Sequence, residues 1–159
     1  MASLPEGFYL RDMRLDDLEQ VADLDRLSFP LPWSLSSYRY EILQSKISHC
    51  WVVETNQNTS AIIAALMVFY HVVDEVHIAT IAVDERYRRM GIASCLIEEL
   101  LVYCNTHKAQ RVFLEVRLSN LAAQALYIKH GFVFTGVRKR YYSDNHEDAL
   151  LMERILDNQ

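Results

Sequence analysis

The chain has 159 residues, 51% hydrophobic and 23% charged, with a net charge of −5, an isoelectric point near 5.6 and a mean hydropathy of −0.02. Those values fit one globular domain over residues 1–159 with a full buried core, and the acidic balance argues against non-specific nucleic-acid binding as the main task. No apolar run approaches the roughly 18 residues of a membrane span, and the opening "MASLPEGFYLRD" lacks the basic start and apolar stretch of a signal peptide, so the expected setting is the cytoplasm, with no membrane partner.

Phe8 to Met13 reads as a short strand. Leu15, Leu18, Val21, Ala22, Leu24 and Leu27 then recur at three- and four-residue steps, the stripe of an amphipathic helix. "FPLPWS" stops it, because Pro30 and Pro32 cannot continue a helix, and Ser34 is placed to cap a second helix running to about Leu43. Cys50 to Glu54 and Ala61 to His71 read as strands joined through the polar turn "TNQNTS", the second carrying a ten-residue apolar run that suits a buried strand. "VVDEV" predicts a tight hairpin into a strand from Val76 to Val83. Ile92, Leu96, Ile97, Leu100 and Tyr103 form the apolar face of a helix. "RVFLEV" is a strand, Asn120 to Lys129 a helix closed at "HG" by Gly131, and Phe132 to Val137 and Ala149 to Ile155 the last strands. The order β-α-α-β-β-β-α-β-α-β-β predicts an α/β or α+β fold, a mixed sheet of about seven strands with about four helices.

Three cysteines (Cys50, Cys95, Cys104) make no CxxC pair and the six histidines are scattered, so neither a disulfide framework nor a metal site is expected. The informative segment is "AVDERYRRMGIASCLIEELL", where a strand, a basic turn, one of only four glycines and a helix follow in order. Gly91 lets a ligand approach the main chain, and the first turn of a helix presents unpaired N–H groups at its positive end. Arg86, Arg88 and Arg89 add positive potential and can fork onto phosphate oxygens. The turn therefore reads either as an anion seat, suited to a pyrophosphate, or as an ordinary strand-to-helix connection with solvated arginines. Neither GxxxxGK[ST] nor GxGxxG occurs.

Alternation along "RVFLEV" sets Phe113, Glu115 and Arg117 on one face and Val112, Leu114 and Val116 on the other. A carboxylate in so apolar a strand is a candidate general base whose pKa burial would raise; the same residue also reads as a solvent-facing glutamate. Tyr127, by its position on the helix, reads first as a core aromatic with its hydroxyl at the rim. Ser119 or Asn120 suits a helix N-cap.

Arg88-x-x-Gly91-x-Ala93, following "HIATIAVDERY", resembles the acetyl-CoA signature of the GCN5-related N-acetyltransferases, in which many members carry glycine where this chain has Ala93. "FPLPWS", "LEVRLSNLAAQALYIKHGF", "RKRYY" and "EDALLM" extend the resemblance over nearly the whole chain, to the RimI-type branch. The resemblance implies a mostly antiparallel twisted sheet with splayed central strands. It implies an acetyl-CoA-dependent enzyme that acetylates the N-terminal alanine of a small-subunit ribosomal protein, without a metal and as a monomer. It places the pantetheine arm beside Ile81, Ala82 and Val83, and the pyrophosphate on Arg88, Arg89, Met90, Gly91, Ile92, Ala93 and Ser94, with Asn120 near the arm. It makes Glu115 the base and Tyr127 the acid. Trp33, Tyr141 and Tyr142 become candidates for the acceptor groove, with Glu147 and Asp148 nearby; Trp33 reads equally as packing, and the two acids as a solvated cluster. Acetylation of protein lysines or of a small amine, and a non-catalytic acetyl-CoA-binding module, are the alternatives.

Overall fold

The strand Ile62–Val72 (β3) organises the molecule. Every residue from Ile63 to Phe69 is buried, because helices cover both faces of the sheet there, and a strand covered on both faces reads as an unbroken apolar run. The computed structural model describes residues 3–56 and 60–157; Gln57, Asn58 and Thr59 of the expected polar turn lie outside the described residues. The other strands are Phe8–Asp12 (β1), Ser48–Thr55 (β2), Glu75–Val83 (β4), Arg111–Arg117 (β5), Val133–Arg138 (β6) and Ala149–Ile155 (β7). The helices are Leu18–Ser28 (α1), Leu35–Leu43 (α2), Ile92–Thr106 (α3) and Leu121–Lys129 (α4). One seven-stranded sheet results, in the order β1-β2-β3-β4-β5-β7-β6. Every neighbouring pair is antiparallel except β4 with β5.

Two cores lie on opposite sides of this sheet. Leu18, Val21 and Leu24 of α1 and Tyr38 of α2 pack on Val52, Leu66 and Val68. Ile92, Leu96, Ile97 and Leu100 of α3 pack on Val53, Met67, Phe69 and Leu114. The apolar stripe expected on the first helix is shorter than its periodicity suggests. Its first residues form a separate 3-10 turn, Leu15–Asp17, and Leu15 and Leu27 are 47% and 75% exposed. Asp25, buried at the helix end, holds the chain instead: its carboxylate accepts from the Trp33 N–H at 2.6 Å and the Tyr38 hydroxyl at 2.8 Å. Burial drives its pKa up against those two bonds. Ser34 caps α2 as expected, accepting from the Ser37 N–H at 3.1 Å.

The "VVDEV" hairpin turns through Val73 and Asp74, with Val72 opposite Glu75 and Val73 at φ +57°. Farther along, the register of β3 with β4 jumps from Phe69↔Ile78 to Val68↔Thr80. Ala79 is the extra residue of a β-bulge, which bends its strand. β4 and β5 pair only through Glu75↔Arg111, Val76↔Val112 and His77↔Phe113. Past that point they part, giving the splayed centre that the resemblance implies, and the freed edge of β4 opens onto a cleft.

Candidate active site

The chain leaves β4 through a 3-10 turn, Glu85–Tyr87, whose first N–H groups are capped by the Asp84 carboxylate (Arg86 N–H at 2.9 Å). Tyr87 is buried edge-on against Phe8, 5.5 Å between ring centres, and anchors the turn to β1. Arg86 does not contribute the open positive charge expected of it: its guanidinium folds back onto both oxygens of Asp84 at 3.0 and 2.9 Å. Arg88 donates through Nε to the Val83 carbonyl at 3.2 Å. Arg89 and Gly91 both have positive φ, +62° and +80°, so Gly91 is demanded first by the backbone conformation, which L side chains rarely adopt. A Cβ placed there would meet nothing within 4 Å. Open space therefore stands above the peptide groups that start α3, where the N–H groups of Ile92, Ala93 and Ser94 have no partner within the helix. This geometry fits an anion. Arg88, Arg89, Met90 and Gly91 are exposed at the turn, Ala93 is partly buried, and Ile92 and Ser94 are buried. The Ser94 hydroxyl lies against the His130 ring at 3.1 Å and does not face the seat.

Between the parted strands is a cleft of about 440 Å³. It gathers Glu115 of β5, Tyr127 and Asn120 of the α4 segment, and Ile81 of β4. Trp33, Tyr141 and Tyr142 line it as well. Ala82 packs in the α1–α2 core and Val83 packs toward α3, and neither lines the cleft. Asn120 carries the N-cap role too, accepting from the Ala123 N–H at 3.1 Å.

The alternation expected along β5 holds, with Val112, Leu114 and Val116 buried and Glu115 partly buried on the other face. The electrostatics of Glu115 differ from the expectation. Burial pushes its pKa up, but the His77 hydrogen bond and the nearness of His77 and Arg138 outweigh that, and the carboxyl sits below its ordinary value. His77 Nε2 donates to Glu115 Oε2 at 2.6 Å, and its ring stacks on Phe113 at 4.6 Å with a 6° interplanar angle. His77 lines the cleft and went unremarked in the sequence because only the parallel register, His77 opposite Phe113, brings it beside Glu115. Tyr127 is buried, and burial, with Tyr142 nearby, raises its pKa. The phenol therefore keeps its proton at neutral pH, and none of the described residues bonds its hydroxyl.

The outer wall is a loop tied by ions. Arg117 bonds Asp144 at 3.0 Å and Glu147 at 3.2 Å, and its guanidinium lies 3.9 Å from the Tyr142 ring centre. Glu147 also accepts from the Ser119 N–H at 2.6 Å, and this bond and Arg117 hold its pKa down at about 2. Asp148 takes the Arg140 N–H and Lys139. Glu147 and Asp148 thus shape the loop and do not line the cleft. Tyr141 stands edge-on to Tyr142 at 5.1 Å. Among the described residues no helix is long and apolar enough to cross a membrane, and no three metal-ligating side chains converge.

A helix start that fits an anion thus follows an open strand edge, with ionisable groups where the strands part. The chain belongs to the acetyltransferase (GNAT) family, whose model matches residues 18–132. It is an acyltransferase, and members of this family use acetyl-CoA. It is 36% identical over 143 residues to a Bacillus subtilis (strain 168) protein provisionally named [ribosomal protein bS18]-alanine N-acetyltransferase, covering 90% of this chain and 92% of that one. It is 32% identical over 157 residues to the N-alpha-acetyltransferase of Saccharolobus solfataricus, covering 94% and 93%. Among solved structures, the ribosomal-protein-S18-alanine N-acetyltransferase of Escherichia coli superposes with a TM-score of 0.83 at 28% identity, covering 94% of each chain.

Proposed function

We propose that this protein is an acetyl-CoA-dependent N-α-acetyltransferase of a protein N-terminal alanine, with a small-subunit ribosomal protein as its acceptor. It works in the cytoplasm as a monomeric domain over residues 1–159. The observation that carries the reading is the convergence of Glu115 and Tyr127 on the cleft between β4 and β5. The names of relatives in two separate groups of organisms support the N-α assignment.

In this reading the pyrophosphate lies on the turn from Arg88 to Ser94. The pantetheine amides run along Ile81, Ala82 and Val83 as a strand partner would, with Asn120 beside the arm. The thioester carbonyl is the electrophile. Glu115, ionised and held by His77, receives the proton of the incoming amine directly or through one water. A strand-edge N–H of β4 meets the negative charge developing on the carbonyl oxygen. Tyr127 donates its proton to the departing sulfur. Trp33, Tyr141 and Tyr142 wall the acceptor peptide.

The pKa values of the two amines favour an α-amine over a lysine as acceptor. A lysine of pKa ~10.4 arrives as ammonium, whereas an α-amine of ~7.7–8.0 is partly neutral at pH 7. The test is a thiol-release assay with acetyl-CoA and a peptide beginning with alanine. Wild type turns over. Glu115→Gln and Tyr127→Phe bind acetyl-CoA as wild type does and lose roughly 10²-fold or more in kcat, the usual size of a general acid–base contribution. Variants that retain wild-type kcat would remove both assignments. Acetyl-CoA binding without turnover on any amine would favour a non-catalytic binding module.

A further inference from the structure

Two buried polar side chains lie outside the cleft and join the two helices that serve it. Ser94 sits in the first turn of α3, three residues past Gly91, and His130 closes α4, three residues past Tyr127. Each is 8% exposed, and His130 Nε2 is 3.1 Å from Ser94 Oγ. Neither residue lines the cleft. A buried polar pair with its hydrogen bond made rigidifies the elements that carry it, while either partner left alone is costly.

The backbone of His130 is fixed from the other side. Its carbonyl accepts from the guanidinium of Arg154 on β7. Its N–H turns back to the Leu126 and Tyr127 carbonyls, and the Phe132 N–H reaches the Tyr127 carbonyl at 3.0 Å. Gly131, at φ +85°, makes this closure possible, and a Cβ there would come within 3.3 Å of Arg154. The last turn of α4, with Tyr127 in it, is thus one closed unit, and the imidazole hydrogen-bonds it to α3 beside the packing of Tyr127 in one core cluster with Ile92, Leu96 and Ile97. Burial lowers the His130 pKa, with Lys129 and Arg154 acting the same way and Glu98 opposing. The ring is neutral near pH 7, and one proton joins the pair.

We propose that the Ser94–His130 hydrogen bond is a positioning element for acyl transfer, holding the helix that bears Tyr127 in register with the α3 N-terminus. The proposal rests on the roles given above to the Gly91 turn and Tyr127. A donor gripped at its pyrophosphate and protonated at its sulfur has a fixed length between those points. The protein must hold its two contacts at the matching separation, and a misplacement of about 1 Å is enough to cost on the order of 10²-fold in rate.

The test pairs amide hydrogen exchange with steady-state kinetics on wild type, Ser94→Ala, His130→Leu and His130→Gln. Glutamine offers an amide nitrogen near the Nε2 position, and Ser94→Ala retains the backbone N–H at the helix start. In wild type, acetyl-CoA should slow exchange at the start of α3 and also across residues 127–132. Ser94→Ala and His130→Leu should retain the first protection and lose the second. Their kcat should fall on the order of tenfold with the acetyl-CoA KM within about twofold, and His130→Gln should recover most of the kcat. Wild-type protection confined to α3 overturns the proposal. So does wild-type kcat per folded molecule in both disrupted variants, or a loss carried by the acetyl-CoA KM. The exchange experiment needs no acceptor. Coupled protection in a wild type that fails to acetylate α-amines would therefore refute the acceptor reading and support this one.

Discussion

The turn beyond β4 and the outer wall of the cleft are built by different means. The turn, which our proposal gives to the coenzyme, is made of backbone: positive φ at Arg89 and Gly91 and the bare N–H groups that start α3, beside a strand edge left unpaired past His77. The wall, which our proposal gives to the acceptor, is made of side chains, with Arg117 reaching Asp144 and Glu147 across 27 and 30 residues of sequence. A seat made of peptide groups is indifferent to most substitutions and sensitive at its glycine. A wall made of side chains can be retuned by single changes. That difference suits an enzyme with one donor and an acceptor that varies.

The comparison can be broken at either end. Gly91→Ala forces an L side chain into φ +80°, a cost of about 1–2 kcal/mol, or roughly 5- to 30-fold. The free variant relieves that strain by leaving the conformation, which binding must restore, so the acetyl-CoA KM should rise by up to that factor with the peptide KM unchanged; an unchanged acetyl-CoA KM in a variant of unchanged stability would mean that the turn is not the seat. Arg117→Ala removes the ion pairs with Asp144 and Glu147 and the contact with Tyr142. Those contacts support the loop, so the peptide KM should rise about three- to tenfold while acetyl-CoA binding holds, and equal effects on both substrates would erase the distinction.

The smallest effect is a displacement of the pH profile. Glu115 must be ionised to act, so activity is present above its pKa and lost as pH falls through it. Protonation of the amine itself takes the first acid limb of kcat/KM, near pH ~7.7–8.0; the Glu115 limb is a second step, and in wild type it lies below the ordinary carboxylate value of 4.5. His77→Phe retains the stack on Phe113 and removes the donor, leaving burial less opposed, so this second acid limb of kcat/KM should move to higher pH. The same sign governs stability: the depressed carboxyl favours the folded state above its unfolded pKa, and that contribution is lost as pH falls through the folded value. A limb that stays in place in His77→Phe would show that His77 does not set the state of Glu115.

Much of this was legible in the sequence where the cause is local. Gly91 betrayed the turn, alternation in "RVFLEV" set the face of Glu115, and the apolar run at 61–70 marked the strand between two cores. What escaped depends on register. His77 meets Glu115 only because β4 and β5 run parallel for three residues before parting, and no periodicity encodes that. The pKa of Glu115 was misjudged for the same reason: burial is visible in an apolar strand, whereas a donor 38 residues away is not. Leu27 is exposed, and in the last turns of α1 the buried anchor is Asp25, a carboxylate that a hydrophobic stripe cannot reveal.

The most direct measurement is the site of acetylation on one peptide that has a free N-terminal alanine and an internal lysine, read by fragment mass spectrometry, beside the same peptide with its N-terminus blocked. The account predicts acetyl on the α-amine alone and little reaction of the blocked peptide, because an α-amine of pKa ~7.7–8.0 is partly neutral at pH 7 whereas a lysine of ~10.4 arrives as ammonium. Equal modification of the lysine, or equal turnover of the blocked peptide, would contradict it.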